Sequence, residues 1–170
     1  MKQIILDLTQ PKISLTIDED CQILGLFIGH RSEQINTEIE IVHAKPGLKS
    51  ETLIRTVLYD DAKVNLVCNL IIKKRAVKTE GFFQINALLL SDQASAVLTP
   101  SLEIMENDVK AGHGMTVGRV NQDQINYLHS RGLNKIEAES LIVRGFIMYI
   151  IDMIKDDKIK QQYLNLINNV

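Results

Sequence analysis

"TLIRTVLYDDAKVNLVCNLII" occupies residues 52–72, and its reading decides the fold. Beyond the pair Asp60-Asp61, the residues Val64, Leu66, Cys68, Leu70 and Ile72 share one parity. Successive side chains of a strand point to opposite faces, so a period of two marks a strand with one buried face. The same alternation appears upstream. "KISLTID" sets Ile13, Leu15 and Ile17 on one face, and "INTEIEIVH" does so with Ile35, Thr37, Ile39 and Ile41. Turn-forming pairs punctuate the runs at Pro46-Gly47, Asp60-Asp61, Glu80-Gly81, Ser91-Asp92 and Asn107-Asp108. Short strands at close spacing from Met1 to about Arg119 predict a mainly β unit.

No long helical pattern interrupts these strands, which excludes an alternating βαβ sheet. A sandwich, a barrel or a β-solenoid remains. The runs between Ile54 and Met115 vary in length and contain no Asn-Gly hairpin turn. A parallel β-helix, whose coils join through bends, fits that irregularity better than a hairpin architecture does. No strict hexapeptide or nonapeptide repeat is visible.

After Arg119 the period becomes helical. Asn121 with Gln124 has capping-box spacing, Ile125 and Leu128 begin an apolar stripe, and Gly132 marks a stop. Asn134 with Glu137 opens a second helix, whose apolar stripe is read as Ala138, Leu141, Ile142, Gly145, Phe146, Tyr149 and Met153. "KDDK" breaks the pattern. A last helix carries Ile159, Tyr163, Leu166, Ile167 and Val170. The chain therefore divides into a β body, 1–119, and a C-terminal helical subdomain, 120–170.

With 19 basic and 21 acidic residues the net charge is −2, which gives no basic face for nucleic acid. Lys73-Lys74-Arg75 is too short a run to change that. Two cysteines, Cys21 and Cys68, lie far apart in apolar surroundings and read as buried free thiols. No stretch is long and apolar enough for a membrane span, and the N-terminus lacks a leader pattern. A cytoplasmic, reducing location is expected.

"KAGHGMTVGR", residues 110–119, concentrates three glycines and a histidine. The spacing from Gly114 to Gly118 is wrong for a Walker phosphate loop, and Gly118 falls one residue late for a dinucleotide turn. His113 has no second histidine at local ligand spacing, so it makes no metal site alone; a site shared with a second chain stays open. By parity His113 shares a face with Val109, Ala111, Met115 and Val117, which also fits an interior histidine. Gly112 and Gly114 point to close approach of another backbone, or to dihedral angles that a Cβ would forbid. No GxSxG elbow is present, and an enzyme of the β-helix acyltransferase kind would need the strict hexapeptide repeat that is absent.

"PSLEIMENDVKAGHGMTVGRVNQDQINYLHSRGLNKIEAESLIVRGF", Pro100 to Phe146, resembles the C-terminal signature of the SufB/SufD family of iron–sulfur cluster assembly proteins. P-x-L-E-I, D-V-K-x-x-H-G-x-T-V-G, Y-L-x-S-R-G and a helix ending in G-F follow in the family's order. Weaker similarity reaches back through Glu40 to Val64. The resemblance implies a right-handed parallel β-helix followed by a small helical subdomain. It implies pairing through the β-helix with a SufB-like subunit or with a second copy. It also implies docking of an ABC-type ATPase, SufC, through the C-terminal helices.

In that pattern His113 is the interface histidine, a candidate metal or cluster ligand, flanked by Gly112 and Gly114. No cofactor is expected on this chain alone; a transient iron–sulfur cluster would be shared with the partner. SufB-type members surround the histidine with glutamates, whereas the glycine after His113 is SufD-like. Where SufD members often carry a cysteine, two residues before the histidine, this chain has Ala111, and no cysteine follows Asn69. The chain is shorter than typical members, as a minimal form would be. Tyr127, Arg131, Gly132 and Phe146 are the candidates for the ATPase platform, with core packing and a helix cap as the plain alternative for Tyr127, Phe146 and Gly132. The competing functions are a helix-turn-helix DNA-binding module, which the acidic start of "NKIEAESLIVRGF" disfavours, and a stand-alone β-helix homodimer.

Overall fold

The computed structural model describes residues 1–167. In chain order the strands are β1 (Lys2–Leu6), β2 (Lys12–Ile17), β3 (Cys21–Gly29), β4 (Gln34–His43), β5 (Lys49–Leu58), β6 (Lys63–Ile72), β7 (Thr79–Leu89), β8 (Ser95–Ile104) and β9 (Val109–Arg119). Odd-numbered strands form a five-stranded sheet in the order β1-β3-β5-β7-β9, and even-numbered strands form a four-stranded sheet, β2-β4-β6-β8. Every pairing is parallel. Parallel neighbours two strands apart in sequence exclude the sandwich of hairpins and the up-and-down barrel. The chain is a parallel β-helix, two strands to a coil, as the resemblance implies.

Corresponding residues of stacked coils lie about 30 positions apart, as in the Asn86–Thr116 contact. The step varies: Lys12 lies beside Glu38, but Lys63 lies beside Ser95. Uneven corners therefore hide the repeat from a search for a strict period.

The two sheets show different patterns because they face different surroundings. In β4 and β6 burial alternates strictly, since one face lines the lumen and the other meets solvent. Val64, Leu66, Cys68, Leu70 and Ile72 all enter the lumen, as their parity predicts. The five-stranded sheet is covered on both faces. Ile23, Ile54 and Ile85 point into the lumen, while Leu24, Leu26, Leu53, Val57 and Leu88 pack outward under helices. A sheet buried on both sides loses its alternation.

Most of the expected turns lie at corners, where Gly47 and Asp60 take positive φ. Glu80-Gly81 does not; both residues lie inside β7. Gly81 is a packing glycine. A Cβ there would stand 2.9 Å from Leu70 Cδ2, so the lumen has no room for one.

The helices are α1 (Gln122–Ser130), α2 (Lys135–Ile151) and α3 (Asp157–Ile167). Asn134 and Glu137 exchange both capping-box bonds. Asn121 caps α1 through Asp123 N, so the expected box with Gln124 does not form. Gly132 ends α1 at φ +96°, in the left-handed region. Within "KDDK", Asp156 accepts from the backbone N–H of Lys158 and of Ile159, so the break is also the start of α3.

The buried face of α2 is Ala138, Val143, Ile147, Ile150 and Ile151. It is rotated from the expected stripe, of which Leu141 and Tyr149 are exposed. α2 is apolar on most of its circumference, so periodicity alone selects no face. In α3 Ile167 is buried and Leu166 exposed; Val170 lies outside the described residues. Among the described residues no helix is long and apolar enough to cross a membrane.

His43 is a polar exception in the lumen. It is fully buried, with Nε2 2.8 Å from Ser50 Oγ. Burial holds its imidazole below the ordinary pKa of 6.5. The unfolded chain therefore takes up a proton that the folded chain resists. Stability from this source is complete above about pH 6.5 and is lost below it, at a limiting slope of about 1.4 kcal/mol per pH unit for one proton. His43→Gln keeps an amide that can bond Ser50 Oγ as donor or acceptor and removes the titration. The urea midpoint should drop less between about pH 7.5 and about pH 5 in that variant than in the wild type.

Candidate functional site

β9 pairs with β7 on one side and leaves its other edge open. Its inward column, Ala111, His113, Met115 and Val117, continues the lumen column Gly81, Phe83, Ile85 and Ala87 of β7. Phe83 is buried, and its ring centroid lies 5.8 Å from that of His113, tilted by 36°. His113 thus stands on the lumen face, as parity predicts. It is nevertheless exposed, because no further coil stacks beyond β9. An interior, satisfied histidine is not what the structure contains. Around it, Met115, Val117, Ile104 and Met105 are exposed apolar side chains at the open end of the β-helix.

Strand edges are normally blunted by charge, proline or cover. β8 has Pro100 and Glu103 in its second half. β9 carries charge only near its ends. Lys110 and Lys49 flank Glu80 at 3.1 and 3.2 Å, a three-strand charge ladder, and Lys110 foremost, with Lys49, holds the Glu80 carboxyl below its usual range. Arg119 pairs with Asp92. Between them "AGHGMTVG" presents backbone donors and acceptors with no charged guard.

Gly112 and Gly114 have no positive φ, so forbidden dihedral angles do not explain them. At Gly112 a Cβ would touch the Phe82 ring at 3.3 Å; at Gly114 it would meet nothing within 4 Å. On this side of β9 the strand borders a cleft of about 540 Å3 that also reaches Glu51, Gln84, Phe82 and, from α2, Tyr149.

The donor set is sparse. Among the described residues no three His, Cys, Asp or Glu side chains come together as a metal site. Cys21 and Cys68 are free and buried in the lumen. Burial raises both thiols, Cys68 to about 12, so neither offers a thiolate near neutral pH.

The helical candidates separate into two groups. Tyr127 is 58% exposed, and Arg131, exposed at the C-cap of α1, holds its guanidinium carbon 5.3 Å from the Tyr127 ring centroid. With Leu128, Leu141, Ile142 and Gly145, Tyr127 lines a mostly apolar groove between α1 and α2. Tyr127 is therefore not core. Phe146 lies elsewhere, half-buried against the five-stranded sheet with Arg55 beside it. Leu141, Ile142 and Gly145 belong to the groove although their spacing reads as core; only the exposed face of α2 distinguishes them.

Similarity to known proteins accords with this architecture. The family described as "SUF system FeS cluster assembly, SufBD core domain" matches residues 8–146. The iron-sulfur cluster assembly protein SufD of Escherichia coli (strain K12) is 34% identical over 143 residues, covering 84% of this chain and 34% of that protein. SufD of Bacillus subtilis (strain 168) is 32% identical over 144 residues, again 84% of this chain and 32% of that protein. The iron-sulfur cluster assembly SufBD family protein Mb1497 of Mycobacterium bovis (strain ATCC BAA-935 / AF2122/97) is 32% identical over 151 residues, 84% of this chain and 38% of that protein. The chain spans about a third of the length of these curated relatives.

An exposed side chain outside the core contributes little to stability. His113→Ala should change the unfolding free energy by no more than about 0.5 kcal/mol, whereas Phe83→Ala beneath it should cost about 3–5 kcal/mol. Denaturant unfolding of the two variants checks the contrast.

Proposed function

The chain belongs to the SufBD core family of SUF-system iron–sulfur cluster assembly proteins, as a SufD-type member, and from that premise we propose that it is a non-enzymatic, cytoplasmic subunit that pairs end-on with a second β-helix and docks a SufC-like ABC ATPase. The observation that carries the proposal is His113, exposed on the lumen face of an uncovered end coil beside an unguarded strand edge. A SufB-like subunit, or a second copy, would continue the sheet along β9 and cover the apolar mouth.

His113 would then supply an imidazole nitrogen to a cluster carried as cargo between the two subunits. Iron–sulfur clusters are held mainly by thiolates. Cys21 and Cys68 are buried with raised pKa values, so the thiolates would come from the partner or the cargo's donor. This division accounts for a histidine with no cysteine near it.

The groove of Tyr127, Leu128, Leu141 and Ile142, with Arg131 at its end, is the proposed seat of the ATPase. Movement of the seated ATPase would be passed to the β-helix through the shared core of α2 and the five-stranded sheet.

The test is size-exclusion chromatography with light scattering, on the chain mixed with the SufC-like ATPase of the same source. A stoichiometric complex is expected. Leu141→Asp, on an exposed position, should weaken it at least tenfold while leaving the melting temperature nearly unchanged. No complex with or without nucleotide would exclude the ATPase-docking role.

A further inference from the structure

The corners that lead from even-numbered strands to the next odd-numbered ones, residues 18–20, 44–48, 73–78 and 105–108, stack along one edge of the β-helix. Backbone bonds fix the stacking. Lys73 N donates to the His43 carbonyl and Gly47 N to the Val77 carbonyl, both at 2.9 Å. On one side Lys49 N donates to Asp20 Oδ1 at 2.9 Å. On the other, Met105 N donates to the Ile72 carbonyl at 2.9 Å and Lys78 N to the Asp108 carbonyl.

This stacking gathers charges that the sequence scatters. Lys45 joins Lys73, Lys74, Arg75 and Lys78 on the two middle corners, and all five are exposed. Among the described residues no carboxylate lies within ion-pair distance of any of them. Neighbouring acids are engaged elsewhere. Asp18 and Glu19 pair with Lys2 at 4.0 and 3.2 Å. The backbone N–H groups of Asn107 and Arg75 donate to Glu106 at 2.9 Å each and, with Lys74 further off, hold its carboxyl below the usual range. A run of three cations is ordinary solvated surface; five without partners, on a chain of net charge −2, make a local positive field.

Two of the five stand at strained positions. Arg75 and Lys78 have φ of +74° and +59°, in the left-handed region. Glycine or asparagine holds such a position with less strain, and at the adjoining corner Gly47, with φ of +74°, is a glycine. Solubility alone would be served by cations at relaxed positions. A turn closed by Ala76 N on the Lys73 carbonyl at 3.1 Å, and anchored by the buried Ala76, presents Lys74 and Arg75 at its tip.

Shape selects the ligand. Two coils about 4.8 Å apart make a basic band roughly 10 Å wide. Asp18, Glu19 and Asp20 bound it on one side, Glu106 and Asp108 on the other. A polypeptide segment has that width. A bilayer surface or a nucleic-acid duplex is far wider and would press its phosphates onto both acidic corners. No residue of the four corners is aromatic, so a single nucleic-acid strand finds nothing on which to stack its bases. We propose that the corners formed by residues 44–48 and 73–78 dock an acidic segment of a partner polypeptide. This surface is separate from the β9 edge and from the groove between α1 and α2, and its role requires neither His113 nor an ATPase.

The test uses the full chain, with binding read by fluorescence anisotropy at about 20 mM salt, where the Debye length is about 20 Å. The probe is a fluorescein-labelled peptide of about ten Asp and Glu residues, long enough when extended to cross the band. Saturable binding is expected. Arg75→Asn/Lys78→Asn, which suits the left-handed positions, should weaken it about tenfold or more while the melting temperature stays the same or rises. Lys63→Gln/Lys158→Gln removes the same charge from exposed positions elsewhere, and should weaken binding no more than about twofold. Absence of binding, equal losses in the two double variants, or displacement of the peptide more strongly by a DNA strand or by phosphatidylserine vesicles at equal charge would each overturn the proposal. Salt-sensitive self-association that Arg75→Asn/Lys78→Asn abolishes would overturn it in favour of a second copy. Should that variant not fold, Lys45→Gln/Lys74→Gln carries the same test with the same outcomes.

Discussion

Everything in this molecule depends on parallel stacking of coils about 30 residues long. Each coil covers the lumen side chains of the one before it, and each strand satisfies the backbone of its neighbour. The lumen is consequently apolar along most of its length, with Ile23, Ile39, Ile54, Leu66, Leu70 and Ile85 almost wholly excluded from solvent. At β9 stacking stops, and the same geometry leaves an apolar column and a row of backbone groups without cover. His113 gains its exposure from that termination. The identical parity one coil earlier gives the buried Phe83.

The second constraint is the asymmetry between the two sheets. Solvent meets the outer face of the four-stranded sheet, while α2 and α3 occupy the outer face of the five-stranded sheet nearest β3 and β5. The connection between α2 and α3 is tied to the first coil as well: Gln3 Nε2 donates to the Met153 carbonyl at 2.7 Å, and Lys155 N donates to Gln3 Oε1 at 2.8 Å. The helical segment is thus secured along the sheet, and α1 packs on α2 with the Tyr127 groove exposed between them. One apolar core is shared by α2, α3 and the outer face of the five-stranded sheet.

Much of this is legible in the sequence, and the parts that are not have physical reasons. Val64 through Ile72 reveal their lumen face because solvent lies on the other side. Leu24, Leu53 and Val57 do not, because helices remove the contrast. Glu80-Gly81 resembles a turn in composition, but Gly81 is small because Leu70 fills the space opposite. The stripe chosen on α2 is rotated because Leu141, Ile142, Val143, Phe146 and Ile147 give almost no polar contrast by which to orient it. His113 was identifiable by the surrounding motif, yet its exposure was not. Parity indicates a lumen face, and only the position of β9 as the last strand shows that this face is open. Arg55 lies in an apolar strand with no motif around it, and its setting emerges only when α2 is folded onto the sheet.

The central claim is that the β9 end is completed by a second β-helix. Hydrogen–deuterium exchange, measured on the chain alone and mixed with a SufB-like subunit of the same source, tests it most directly. Exchange across Val109–Arg119 should slow in the mixture, with α1 amides unchanged. A stable complex in which β9 exchanges as fast as in the free chain would contradict it.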